Sequence, residues 1–343
     1  MLTDEHEVEA ADVSADKPAT RHGAGSLLRR MLSWDAFGAL LATVGLVAVT
    51  GLLRPDFLSV SQLLDLGPSA VYVSLLAAGM VLLLAMRDLD LSIGSTFALT
   101  LTGAALLMHN GVNPWAAAGA GIVGGALLGL NNALIVRIVA IPTIVATLAT
   151  LSLYRGLALA LSGGQQVSGL PTESSFFSVI GGRALGLPMA VWILVLVIGA
   201  LAAVMRGTAF GYRVRSIGSN PDAAAFSGIS IDRTRMQVLI LMGSLAGLAG
   251  VLALSFFSSG DPTIGGGMEL QAIAAAIIGG TALRGGKATV VGTVIGALLL
   301  SIVTAALAYF DIPANWSAFA TGTLILAAVS VDGILRRRQS RHP

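Results

Sequence analysis

The sequence predicts an all-α fold, a polytopic bundle of membrane-spanning helices, and three observations predict it. Of 343 residues 55% are hydrophobic and 11% charged, with a mean hydropathy of +0.85, whereas soluble domains carry about 25% charged residues. The apolar residues are gathered into about ten runs long enough for a membrane helix. The basic residues fall almost wholly in alternate connections between those runs.

A helix rises about 1.5 Å per residue, so roughly 20 apolar residues cross about 30 Å of hydrocarbon. On that measure spans fall near 36–53, 66–86, 91–108, 114–136, 141–162, 188–205, 236–257, 269–283, 289–310 and 314–333, the eighth being the shortest. With the N-terminus in the cytoplasm, 17 of the 20 lysines and arginines lie on the inner side. Arg54 and Arg183 fall outside and Arg155 within a span. Positive residues favour the cytoplasmic face, so the asymmetry predicts ten spans with both ends in the cytoplasm.

Residues 1–33 are polar, acidic and then basic, without periodicity, and are expected to be a disordered cytoplasmic tail. The apolar run that follows is too long for a signal-peptide core and lacks a small-residue cleavage site, so it is expected to remain as the first helix. Residues 34–335 form one transmembrane domain with a cytoplasmic connection over 206–235, and 336–343 a basic cytoplasmic tail. The net charge of +2 and pI near 9.3 reflect these inner connections. Without a basic patch interleaved with aromatics, nucleic acid is not an expected partner. The absence of cysteine excludes disulfides, thiolate metal sites and cysteine nucleophiles.

Two connections stand out. The outer one, 163–187, carries Gly-Gly-Gln-Gln, Pro171 and a Gly-Gly-Arg turn. The inner one holds a helix start: Asn220 can cap, Pro221 suits the first helical position, Asp222 complements the helix dipole and Gly228 can stop the helix. A helix of about two turns results, with Ala223, Ala224, Ala225 and Phe226 as an apolar patch offered to a partner, Phe226 being the candidate anchor. Within the spans, Gly121, Gly125 and Gly129 lie four apart, as do Gly243 and Gly247, Ala246 and Gly250, and Gly292 and Gly296. Each row lets another helix approach closely.

Absences narrow the chemistry. No GxxxxGK[ST] loop is present, so ATP hydrolysis by that route is excluded for this chain. His6, His22, His109 and His342 sit in tails or at a helix end, away from any membrane metal site or proton relay. Asp65, Asp88, Asp90, Asp261, Glu269, Asp311 and Asp332 lie near span ends, which disfavours an ion-coupled carrier, commonly built around a mid-membrane carboxylate. Asp88-Leu89-Asp90 lacks the companion carboxylates of a transferase, and Asp90 or Ser92 is expected to cap the third span. A membrane-embedded transferase and an ATPase-independent carrier are therefore the rivals to be excluded.

Three features could contact a solute. Arg155 is the basic residue inside a span, either a strut bonded to carbonyls or a pathway contact. Thr143, Thr147, Thr150 and Tyr154 follow spacings of four, three and four, which puts them on one stripe of the fifth span. Asn131 and Asn132 stand late in the fourth. Thr147, Thr150, Tyr154, Arg155 and Asn131 are the candidate path residues for a polyhydroxylated solute.

From Phe57 to Asp332 the chain resembles the permease subunits of ribose-type ABC sugar importers. The resemblance is carried by LDLSIGS (Leu89–Ser95), IPTIVATLATLSLYRGLA (Ile141–Ala158), FGYRVRSIGSNPDAAAFSGI (Phe210–Ile229), ELQAIAAAIIGGTALRGGKATVVGTVIGALL (Glu269–Leu299) and GTLILAAVSVD (Gly322–Asp332). It departs at Met86-Arg87-Asp88, where many relatives have glycines, and at Asn131-Asn132-Ala133, where many have Asn-Gly. The resemblance implies a dimer with a second permease chain, a cytoplasmic ABC ATPase, an extracytoplasmic substrate-binding protein and no cofactor. It makes Asn220–Gly228 a coupling helix seated in an ATPase groove, and the cargo a monosaccharide, a related polyol or a furanosyl signal molecule.

Overall fold

The structure is a computed structural model and describes residues 36–313 together with 316, 318–324, 326–327 and 330. The expected tails at 1–33 and 336–343 lie outside the described residues, and the tenth span is described only in part. In chain order the helices are α1 (Phe37–Leu53), α2 (Val60–Ala85), α3 (Ile93–His109), α4 (Pro114–Val139), α5 (Thr143–Ser162), α6 (Ser175–Ile180), α7 (Met189–Gly207), α8 (Ala209–Ser219), α9 (Pro221–Phe226), α10 (Ile231–Phe257), α11 (Met268–Ile278) and α12 (Val290–Tyr309). A 3-10 turn covers Pro55–Leu58, and strands β1 (Arg183–Ala184) and β2 (Leu187–Pro188) pair as a small hairpin.

Among the described residues six helices are long and apolar enough to cross a membrane: the Gly67–Ala85 part of α2, and α4, α5, α7, α10 and α12. α1, α3 and α11 are shorter apolar helices. Burial separates centre from rim: 94% of the spanning window is buried in α2 and 78% in α10, against 28% in α4, α5 and α7. The rim helices turn Val123, Leu127, Leu148, Leu153, Val195 and Leu196 outward, an apolar face suited to lipid.

Glycine is what brings the central helices together. In lipid there is little hydrophobic gain in joining two apolar helices, so close packing must hold them. Gly121, Gly125 and Gly129 of α4 lie along Gly247, Gly243 and Leu239 of α10 in antiparallel order; a Cβ added at Gly125 would meet Gly247 Cα at 3.0 Å and strike the Gly243 carbonyl. Gly250 on another side of α10 approaches α3, where an added Cβ would lie 3.0 Å from the Phe97 carbonyl. Gly292 and Gly296 of α12 fit against Gly279 and Ala275 at the end of α11.

Four expectations are corrected. The eighth span is not a continuous helix over 269–283: α11 covers Met268–Ile278 alone. It is preceded by the non-helical stretch 258–267, in which Gly265 (φ +89) and Gly267 (φ +79) take backbone angles closed to a right-handed helix. The inner connection is largely helical: α8 fills 209–219, capped by Thr208, whose hydroxyl accepts from Gly211 N, and α10 already begins at Ile231. Ser92 occupies the cap position of α3 without bonding its backbone; its hydroxyl turns to Asp90 instead. The outer connection adds helix α6 and the β1–β2 hairpin to its turns.

The course of 258–267 matters most. Gly260 packs on Ala105 and Thr102 late in α3, pairs with Val167 of the outer connection, and Gly265 packs on Gly94 and Phe97 in the first turns of α3. The segment therefore runs back along α3 from Ala105 to Gly94, about 16 Å at helical rise. α11 then continues for 11 residues, about 16 Å more. The stretch expected as the eighth span is thus a non-helical segment followed by a short apolar helix.

Candidate functional site

The first turn of α3 is the meeting point of three helices. Asp90, Ser92, Asn132, Thr147 and Tyr154 are all buried there, although they come from α4, α5 and the approach to α3. Asp90 Oδ1 accepts from the Ser92 hydroxyl at 2.6 Å and from Ser92 N at 2.7 Å. Asn132 Nδ2 donates to Ser92 Oγ at 2.8 Å and to Asp90 Oδ2 at 3.4 Å. Tyr154 then donates to Asn132 Oδ1 at 2.8 Å, and Asn131 Nδ2 donates to the Tyr154 oxygen at 2.9 Å. A buried carboxylate is costly unless its lone pairs are occupied, and this chain of bonds occupies them.

The hydroxyl stripe of α5 faces this cluster. Thr143, Thr147, Thr150 and Tyr154 are buried, while Ile144, Val145, Leu148 and Leu153 between them are exposed. Thr147 Oγ1 accepts from Leu91 N at 3.1 Å, and Thr150 bonds back to the Thr147 carbonyl at 3.3 Å. Asn131 alone of the candidates in this group is exposed.

Arg155, one residue beyond Tyr154, reaches the other way. Its Nη1 donates toward the carbonyls of Pro262, Thr263 and Ile264 at 3.1, 3.2 and 2.9 Å, tying α5 to the non-helical segment before α11. The segment is itself turned by Asp261, whose Oδ1 accepts from Thr263 N at 2.8 Å and from its hydroxyl at 2.7 Å. Glu269, in the first turn of α11, lies against Gly94 of α3. The first turn of α3 thus abuts the chain entering α11 and its first turn, with Arg155 bracing that entering chain.

The end expected to face the cytoplasm is a second, separate construction. Asn220 Oδ1 accepts from Ala223 N at 3.0 Å, Pro221 opens α9, Asp222 occupies its first turn and Gly228 follows it at φ +81. Ala224 is buried against the chain itself, 4% exposed, whereas Phe226 is 93% exposed. The apolar patch is therefore divided: Ala224 seats α9, and Phe226 projects from it. Arg87, just after α2, donates from Nε to the Gly218 carbonyl at 2.6 Å and from Nη2 to the Ser219 carbonyl at 2.8 Å, closing the C-terminal end of α8. Gly286 N donates to the Ala85 carbonyl at 2.9 Å, so the link between α11 and α12 joins the same knot. Arg215 of α8 donates to the Met205 carbonyl near the end of α7.

Sequence reasoning missed Asp90, Ser92 and Glu269 as partners in these junctions. The signal available for the first two was Asp-Leu-Ser before an apolar run, the spacing of a carboxylate that accepts from a backbone N–H two residues on. For Glu269 it was the Gly- and Pro-rich SGDPTIGGG stretch preceding a short apolar run.

Residues 63–329 match the family model described as branched-chain amino acid transport system / permease component. The ribose import permease protein RbsC of Haemophilus influenzae is 33% identical over 299 residues, covering 87% of this chain and 93% of that one. RbsC of Escherichia coli K12 is 34% identical over 296 residues, 86% of this chain and 92% of its own. The autoinducer 2 import system permease protein LsrC of Enterobacter sp. strain 638 is 36% identical over 318 residues, 92% and 91% of the two chains. No solved structure matches the chain significantly. A family match over most of the chain, relatives aligned nearly end to end and helices fit to cross a membrane agree: the chain belongs to the family of branched-chain amino acid transport system permease components, as a multi-pass inner-membrane permease of the ribose type found in ABC importers.

Proposed function

We propose that the chain conducts a small polyhydroxylated solute, a monosaccharide such as the ribose that names RbsC or a furanosyl compound such as the autoinducer 2 that names LsrC, into the cytoplasm. In this reading it works as one of two permease chains, with ten spans, both termini inside, a cytoplasmic ATPase below and a binding protein outside. The ATPases close on ATP and push the two coupling helices, and each permease bundle exchanges an outward-open for an inward-open arrangement.

The observation that carries this reading is α9. A six-residue helix with its own cap, its own proline start and an almost fully exposed Phe226 has no core to bury that ring in. An aromatic side chain so presented suits a groove on a partner. Arg87 holds α8, the helix before it, on the end of α2, which gives a push on α9 a route into the central helices.

The test is reconstitution of the permease with ATPase and binding protein in liposomes. Uptake of labelled ribose that requires ATP supports the importer; equal uptake without ATPase supports a facilitator. Phe226→Glu spares membrane insertion and leaves Ala224 seated, and is expected to weaken co-purification of the ATPase and uncouple hydrolysis from uptake. Reporter fusions after Arg215 and Arg338 are expected to report cytoplasm, and a fusion near Gln165 the outside; the reverse at two of these sites overturns the topology.

A further inference from the structure

Backbone in hydrocarbon must satisfy its own N–H and C=O groups, so non-helical chain at membrane depth survives only against protein or water. In the ten-span reading the segment 258–267 is such chain: it runs along α3 to the level of Gly94, and α11 follows it. Yet it is not enclosed. Thr263 and Gly266 are exposed, Arg155 and Glu269 are only half-buried, and Leu270 beside them is 51% exposed. A guanidinium, a carboxylate and open peptide groups on one surface within a ten-span bundle cannot face lipid.

We propose that this surface, formed by Thr263, Gly266, Glu269 and Leu270 with Arg155 as its brace, is the wet wall of the solute path. The inference deepens the importer reading and rests on it for the identity of the cargo. The wall presents donors from Arg155 and backbone N–H groups, and acceptors from Glu269 and backbone carbonyls. Ring hydroxyls, which both donate and accept, pair with such a mixed row. The wall thus suits the polyol or sugar of the importer reading, with Leu270 offering an apolar surface to the C–H face of a ring. Behind the wall, Ser95 and Thr102 stand seven apart on α3 with buried hydroxyls that lack partners among the described residues, and Thr102 adjoins Gly260. Buried hydroxyls left unpaired are uncommon, and a wall that shifts between two states would let them reach water in the other.

The chain has no cysteine, so a single introduced thiol reports one position. Gly266→Cys is accommodated, since an added Cβ would meet only the Thr263 carbonyl at 3.7 Å and Arg155 Nη2 at 3.9 Å. Leu270→Cys is the second probe, and Leu148→Cys and Leu196→Cys on the exposed rim are controls. The assembled importer in liposomes is treated with a positively charged methanethiosulfonate reagent. Thiols in the path ionise and react, while thiols in lipid stay protonated, so the two probes are expected to react at least about tenfold faster than the controls. Ribose with the binding protein is expected to slow that reaction. Probes as inert as the controls in a complex that still imports ribose overturn the wall and leave the importer standing. Reaction only after the permease chains are dissociated also overturns it, since the surface is then a protein interface. Fast reaction that ignores ATPase and binding protein keeps the wall and removes the importer.

Discussion

Arg235 Nε donates to Asp88 Oδ2 at 2.7 Å, which ties the second turn of α10 to the strand of chain that leads from α2 into α3. Asp232 shares the guanidinium through Nη1 at 3.3 Å. Asp88 follows Arg87, which holds the end of α8, and precedes Asp90 by two residues, so the pair lies between the α8–α9 arm and the polar junction at the head of α3.

Breaking that tie should separate hydrolysis from transport. Arg235→Ala is expected to lower stability by about 1–2 kcal/mol, as for a partly buried ion pair, and to cut uptake more than ATP hydrolysis. Exchanging the charges, Asp88→Arg with Arg235→Asp, should recover part of the uptake. Measured in proteoliposomes, loss of hydrolysis and uptake in equal proportion would count against a linking role.

The junction around Asp90 should tolerate losses unequally. Tyr154→Phe removes one donor and is expected to cost about 1–2 kcal/mol. Asn132→Ala also strips donors from a buried carboxylate, and its thermal unfolding in detergent should begin at a clearly lower temperature. Should Tyr154→Phe melt like the wild type while abolishing ribose uptake, the tyrosine belongs to the path instead.

Arg155→Met leaves three carbonyls without their donor, and a loss of about 2–3 kcal/mol is expected. Arg155→Lys keeps the charge but not the planar fork, so folded yield should recover while uptake stays low. Full uptake in the lysine variant would show that charge alone suffices.

Two neighbouring glycines give a clean packing test. Gly125→Ala is expected to cost about 1–3 kcal/mol because its methyl would strike the Gly243 carbonyl. Gly124→Ala has nothing within 4 Å of the added carbon and should be neutral or slightly stabilising through its better helix propensity. Folded yield by size-exclusion chromatography distinguishes them.

What could be read from the sequence was local. Hydropathy runs located the long spans, and glycine spacing located the faces of α4, α10 and α12 that meet other helices, because both signals repeat within one helix. The break before α11 escaped because the apolar run from Ala272 onward resembles a full span, while the chain's descent beside α3 depends on residues more than a hundred positions away. α8 was hidden by Arg213 and Arg215, though Gly211, Val214, Ile217 and Gly218 recur at helical spacing and all are buried. In the sequence Ala223, Ala224, Ala225 and Phe226 form one apolar patch, because a six-residue helix gives too little periodicity to tell its seated face from its projecting one. The Asp90–Asn132–Tyr154 bonds join three helices, and no spacing within any one of them announces the others.

The interlocked glycines of α4 and α10 bear on how the molecule moves. Where backbones touch over three successive turns, neither helix can slide or roll against the other without a collision of main-chain atoms. The pair therefore behaves as a keel. Any exchange between outward- and inward-facing shapes must be made by pieces hung on it, and the non-helical stretch 258–267, with no helical hydrogen-bond ladder of its own, is one such piece.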